Sequence, residues 1–133
     1  MATSRIGPQM RKQYHFRPSE RGLLAWDVDR LIVLTMNFPR LQVSLAAIRE
    51  LDEPFWFAHG ATPTCRAVAE HSLLMQAADL SFPIILSSHG RVMDGMHRVA
   101  KAASLGRDTI QAVQFSDDPE PDYMGVPPDE LPY

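Results

Sequence analysis

Five consecutive residues, Asp94-Gly95-Met96-His97-Arg98, combine side chains and a glycine in a way that suits phosphate. Arg91-Val92-Met93 before them reads as the second arm of a hairpin, and the residues after them read as a helix, so the order is strand, glycine turn, helix. A helix start presents backbone N–H groups without helical acceptors and a partial positive charge, which together favour an anion. Gly95 lets the backbone approach a phosphate with no Cβ in the way. Arg98 can grip phosphate oxygens in pairs through its planar fork, and Lys101 lies one turn further along the same face. His97 and Arg98 put cations in a first turn, where they are unfavourable unless an anion is present. Gly95, Met96, His97, Arg98 and Lys101 are therefore the candidate phosphate-binding residues. Asp94 can cap the helix or hold a magnesium-bound water, which makes it the candidate metal ligand. Asp94, His97 and Asp79 are the candidate catalytic groups. The same residues also admit a plainer role, with Asp94 as a cap, His97 on the surface and Arg98 solvated or paired with Asp94.

Other chemistry is thinly represented. His71 and Asp79 lie on, or at the end of, the helix before the hairpin and could converge with His97. His59, His71, His89 and His97 lack the close spacing of a zinc site, and His15 carries no functional signal. Cys65 is the only cysteine, so no intrachain disulfide can form. No Walker loop or Ser-His-Asp order is present. Phe55-Trp56-Phe57 reads as a plug over one end of a sheet or as a stacking surface for a base.

The elements that must position these residues follow from hydrophobic period and breakers. Residues 23–36 carry apolar side chains at helical spacing and predict one amphipathic helix, stopped by Asn37-Phe38-Pro39. Residues 41–45 alternate and predict a strand, and residues 46–51 either extend it or form a helical turn. Thr62 and Pro63 suit the cap and first position of a helix ending near Asp79, with Ala67, Val68, His71, Leu74, Met75 and Ala78 as its stripe. Ile84-Ile85-Leu86 reads as a buried strand, with Ser87-Ser88-His89-Gly90 turning the chain. Residues 97–105 predict a helix with Val99, Ala100, Ala103 and Leu105 inward and Gly106 just past its end. Residues 109–115 predict the last strand.

Length and composition frame this as one domain. The chain has 133 residues, is 45% hydrophobic and 22% charged, and carries a formal net charge of -3. That balance disfavours a broad nucleic-acid interface. No run approaches a bilayer span and no secretory leader is evident, so a reducing cytoplasmic location is expected. Residues 1–20 read as a loose basic arm, residues 21–115 as the domain and residues 116–133 as an acidic, proline-rich tail. Arm and tail are either two solvated ends or partners, within one chain or across a homodimer.

Pro83-Ile84-Ile85-Leu86, then residues 90–102 with their Asp-Gly-Met-His-Arg centre, then Leu105-Gly106 and Ile110-Gln111-Ala112-Val113, resemble the ParB/sulfiredoxin-like domain over roughly residues 64–115. The resemblance implies a small α/β (α+β) fold, a mixed sheet with flanking helices. It implies that Gly95, His97 and Arg98 meet the phosphates of a nucleotide, ATP, ADP or CTP, with Mg2+. In sulfiredoxin a similar Gly-Cys-His-Arg turn supplies an attacking cysteine, but Met96 stands there in this chain and is no nucleophile. The ADP-dependent free-serine kinases of the superfamily carry a similar Asp-Gly-His-His-Arg stretch, of which one histidine is missing here. No helix-turn-helix segment follows residue 115, so a complete chromosome-segregation clamp is not expected. The expectation is nucleotide-phosphate binding, with magnesium-dependent NTP hydrolysis or phosphoryl transfer as the chemistry. A non-enzymatic interaction module retaining the fold and a ParB-like DNA-acting nuclease are the alternatives, DNA being disfavoured by the acidic balance.

Overall fold

The computed structural model describes residues 12–58 and 60–133. Arg5, Arg11 and His59 lie outside the described residues. The fold is α+β, with two sheets and three α-helices: β1 (Tyr14–Arg17), β2 (Leu24–Asp27), α1 (Val28–Leu34), β3 (Leu41–Ser44), α2 (Cys65–Ala77), β4 (Ile84–Leu86), β5 (Val92–Asp94), α3 (Met96–Ser104), β6 (Thr109–Gln114) and β7 (Tyr123–Met124). The larger sheet has the order β3-β6-β4-β5. It is mixed, since β4 runs parallel to β6 while β3–β6 and β4–β5 are antiparallel.

Both faces of that sheet are covered, which explains why β4 reads Ile-Ile-Leu without alternation. Ile84, Leu86, Ile110 and Ala112 pack with Val92, Met96, Val99 and Ala102 on the α3 side. Ile85, Met93, Val113 and Phe115 pack with Trp26 and Leu31 on the other. The side chains of β6 alternate between the two clusters, as a period of two requires.

Three sequence expectations are corrected. Residues 23–36 are not one helix: Leu24–Asp27 is a strand, and the helix starts only at Val28. Asp27 ends the strand and caps the helix by accepting from the Asp29 N–H. The strand exists because β1 and β7 pair with it on either side, and neither partner is local in sequence. For α2, Thr64 rather than Thr62 is the cap, accepting from the Ala67 N–H. In α3 the inward residues are Met96, Arg98, Val99 and Ala102, whereas Leu105 is 58% exposed. Met96, Val99 and Ala102 recur at a spacing of three and pack on the sheet, which leaves Ala103 and Leu105 on the outer side.

The smaller sheet, β1-β2-β7, draws its outer strands from residues 14–17 and 123–124. The stretch read as a loose arm thus contains a strand, and the tail supplies another. Head and tail meet within the chain. Arg17 bonds Asp118 at 3.0 Å, and Asp122 accepts from the Asp27 N–H at 2.8 Å and from Arg30. Leu131 is buried in turn.

Candidate functional site

The turn after β5 is entered through Gly95 at φ +106, in the left-handed region open to glycine. No side chain caps α3 from that position. The first helical bond is Val99 N–H to Gly95 O, so the N–H groups of Met96, His97 and Arg98 have no helical acceptor. A Cβ on Gly95 would lie 2.7 Å from Ile84 Cγ2 and 2.7 Å from Arg98 Nη2. The glycine therefore makes room for the guanidinium, which lies against the turn.

Arg98 is buried and donates to Asp94 Oδ2 at 2.9 Å, one helical turn apart in sequence. Of the two roles open to it in the sequence, the pairing with Asp94 is realised. This pair also settles the inward turn of α3, since the guanidinium needs a buried partner.

His97 lies beside His71, with His71 Nδ1 and His97 Nε2 2.9 Å apart. Trp56 lies over both rings, its centroid 4.3 Å from His71 and 4.6 Å from His97, at interplanar angles of 12° and 16°. Phe57 meets His71 edge-on. One ring of a neutral pair must donate where the other accepts, so each histidine fixes the tautomer of the other. Burial, then the His71 and Arg98 charges, push His97 down to about 4, and burial also lowers His71. Both are neutral at pH 7. The aromatic segment is thus a plug that covers the histidines, while Phe55 stays exposed.

These groups open on a groove of about 1050 Å³. Asp79, Asp94, Gly95, Met96, His97 and Arg98 all line it, and β1 forms part of the wall through His15 and Arg17. Asp79 sits at this wall but is engaged by the Ser81 N–H and hydroxyl, which hold its carboxyl below the usual range. Lys101 does not line the groove. Its ammonium donates to the carbonyls of Gln76 and Ala78 at 3.0 and 2.7 Å and closes the carboxyl end of α2. Cys65 is exposed at the far end of α2. His89 is on the β4–β5 turn, its ring beside the Ser88 hydroxyl.

No family model, curated protein or solved structure matches this chain.

Two groove residues, Glu50 and His15, were not among the sequence candidates. Glu50 is 2% exposed, and its Oε2 accepts from the Val92 N–H at 2.7 Å and forms an ion pair with Arg91, 3.2 Å from Nε. His15, tilted on Trp26 at 5.6 Å, is pushed down to about 4, chiefly by burial and then by Arg17. Arg91 also clamps Glu53, which lowers the Glu53 carboxyl. A polar residue inside an apolar-spaced segment, as Glu50 is between Ile48 and Leu51, was the one available hint.

Proposed function

We propose that the groove binds a phosphorylated small molecule of the nucleotide class, with its phosphates at the amino end of α3. The observation carrying this reading is that the helix start, entered through left-handed Gly95 and uncapped by a side chain there, opens on a groove large enough for such a ligand. Arg98 adds fixed positive charge at that end, although its pairing with Asp94 reduces the net field.

His97 supports a chemical step beyond binding. An imidazole kept neutral and oriented by His71 can accept a hydrogen bond through Nδ1 from a hydroxyl or water in the groove, in the tautomer where its Nε2 donates to His71. Hydrolysis or phosphoryl transfer would then use His97 to orient the attacking hydroxyl or water, and the α3 end and Arg98 would stabilise charge on the phosphoryl oxygens.

Among the described residues no group of three His, Cys, Asp or Glu could hold a metal, and Asp94 is engaged by Arg98, so magnesium in this reading would be carried in by the ligand's phosphates. Asp79, held by Ser81, is a wall residue in this reading.

A second reading, an interaction module that keeps the fold, draws on α2. That helix has no buried residue, and Val68 and Leu73 are 51% and 65% exposed. Calorimetry with ATP, ADP, CTP and pyrophosphate, with and without magnesium, separates the two. Binding at micromolar to millimolar affinity, about 4–8 kcal/mol, is expected. No heat with any of the four would replace the phosphate reading with the interaction module.

A further inference from the structure

Glu50 is the one buried carboxylate among the described residues, and its two oxygens are treated unequally. Oε2 accepts from the Val92 N–H and is ion-paired with Arg91, whereas Oε1 is buried with no hydrogen-bond partner among the described residues. A carboxylate oxygen withdrawn from water and left without a donor is a standing cost, and native proteins meet that cost with a water or a ligand. Glu50 lines the same groove as the α3 turn. His15, on the β1 wall of that groove, repeats the pattern, since its Nε2 is also buried and unpartnered among the described residues.

The two ends of β5 place these features relative to each other. Val92 donates to Glu50 at the start of the strand, and Gly95 follows its last residue, Asp94. Three residues of extended chain span roughly 10 Å. The backbone anchor of Glu50 at Val92 and the turn at Gly95 are thus set apart along β5 by a span that suits a nucleoside phosphate better than inorganic phosphate or pyrophosphate.

We infer that Glu50 Oε1 is a ligand-recognition point, accepting a hydrogen bond from an N–H or O–H of a nucleoside phosphate whose phosphate end lies at Gly95–Arg98. This rests on the phosphate reading above and adds the chemistry of the ligand's other end: a sugar hydroxyl or a base amine. Arg91 pairs with the carboxylate at Oε2, and Oε1, which has no surface open to the groove at rest, is reached when the ligand turns the carboxylate outward. His15 is held neutral by burial and can donate or accept through Nε2 according to its tautomer. The ligand thus meets one obligatory acceptor and one adaptable group.

The test compares ADP and ribose 5-phosphate with pyrophosphate by calorimetry, on wild-type protein and on Glu50→Gln. Gln retains an oxygen for the Val92 N–H but places an NH2 group where the ligand needs an acceptor. Wild type should bind ADP more tightly than pyrophosphate, and Glu50→Gln should weaken ADP about 10- to 100-fold while leaving pyrophosphate unchanged. Parallel weakening of ribose 5-phosphate assigns the donor to a sugar hydroxyl; weakening of ADP alone assigns it to the base. If folded Glu50→Gln binds ADP as wild type does, the inference is overturned and the phosphate reading stands. If wild type binds none of the three ligands, the phosphate reading falls and the inference with it. Should Glu50→Gln fail to fold, wild-type protein labelled with 13C at the Glu carboxyls decides: the Glu50 resonance should move with ADP and stay still with pyrophosphate. A Glu50 resonance that ADP leaves unmoved refutes the inference.

Discussion

Replacing Arg98 by Met removes a guanidinium that is packed against Gly95 and bonded to Asp94 at 2.9 Å, with side-chain exposures of 10% and 12% for the pair. Met keeps much of the volume, so the loss is mainly electrostatic. An Asp94 carboxylate left in a nearly closed site costs about 3–5 kcal/mol. The low end applies, because the Asp94 side chain keeps 12% of its surface open to water. At roughly 4 °C per kcal/mol for a chain of this size, the melting temperature should fall by about 12 °C. Adding Asp94→Val removes the carboxylate that faced Arg98, and the double variant should return to within about 1–2 kcal/mol of wild type. Thermal denaturation followed by far-UV circular dichroism, at pH 7 without ligand, measures all three proteins. A single variant melting within about 2 °C of wild type would show that the pair contributes little. A double variant weaker than the single would show that Asp94 matters through something other than Arg98.

Gly95→Ala should destabilise by about 1–3 kcal/mol from backbone strain at φ +106, and by more from the contacts at 2.7 Å with Ile84 and Arg98; urea denaturation reads the sum. Stability should also fall on acidification between pH about 6.5 and about 4. His15 and His97 titrate near 4 when folded but near 6.5 when unfolded, so the unfolded chain binds more protons in that window and is favoured as pH drops. Urea midpoints measured across that range should show the slope, and His15→Asn should flatten it. Lys101→Met should leave the core intact but loosen the last turn of α2, costing about 1 kcal/mol, with faster amide exchange confined to residues 74–78.

The parts of the fold that were legible in the sequence are those fixed by neighbours in the chain. The buried run Ile84-Ile85-Leu86, the hairpin into β5, the glycine turn and the alternating β6 all appear where period and breakers place them. The 24–27 strand was hidden because its apolar spacing also fits a helix and its pairing partners are Tyr14–Arg17 and Tyr123–Met124. The site divides in the same way. Asp94, Gly95, Met96, His97 and Arg98 are contiguous, and they share one turn. Glu50 and His15 reach the groove only after both sheets are assembled, and no local pattern marks a buried carboxylate with one idle oxygen. Lys101 shared a helical face with His97 in projection, but the carboxyl end of α2 lies closer to its ammonium than the groove does.

The central place of β2 between β1 and β7 has a consequence for how the protein is made. The His15–Arg17 wall of the groove is tied down by Asp118, and β2 gains its second partner only at Tyr123. On the ribosome, α3 and the larger sheet have all their strands once residue 114 has emerged, but the groove wall waits for residues 118–124 to leave the exit tunnel. Until then the nascent chain carries a sheet with Trp26 incompletely covered, since Trp26 Nε1 bonds the carbonyl of Pro119. The groove is therefore among the last features to form during synthesis, and a chain released before residue 124 would keep its helices and lack a complete β1-β2-β7 wall.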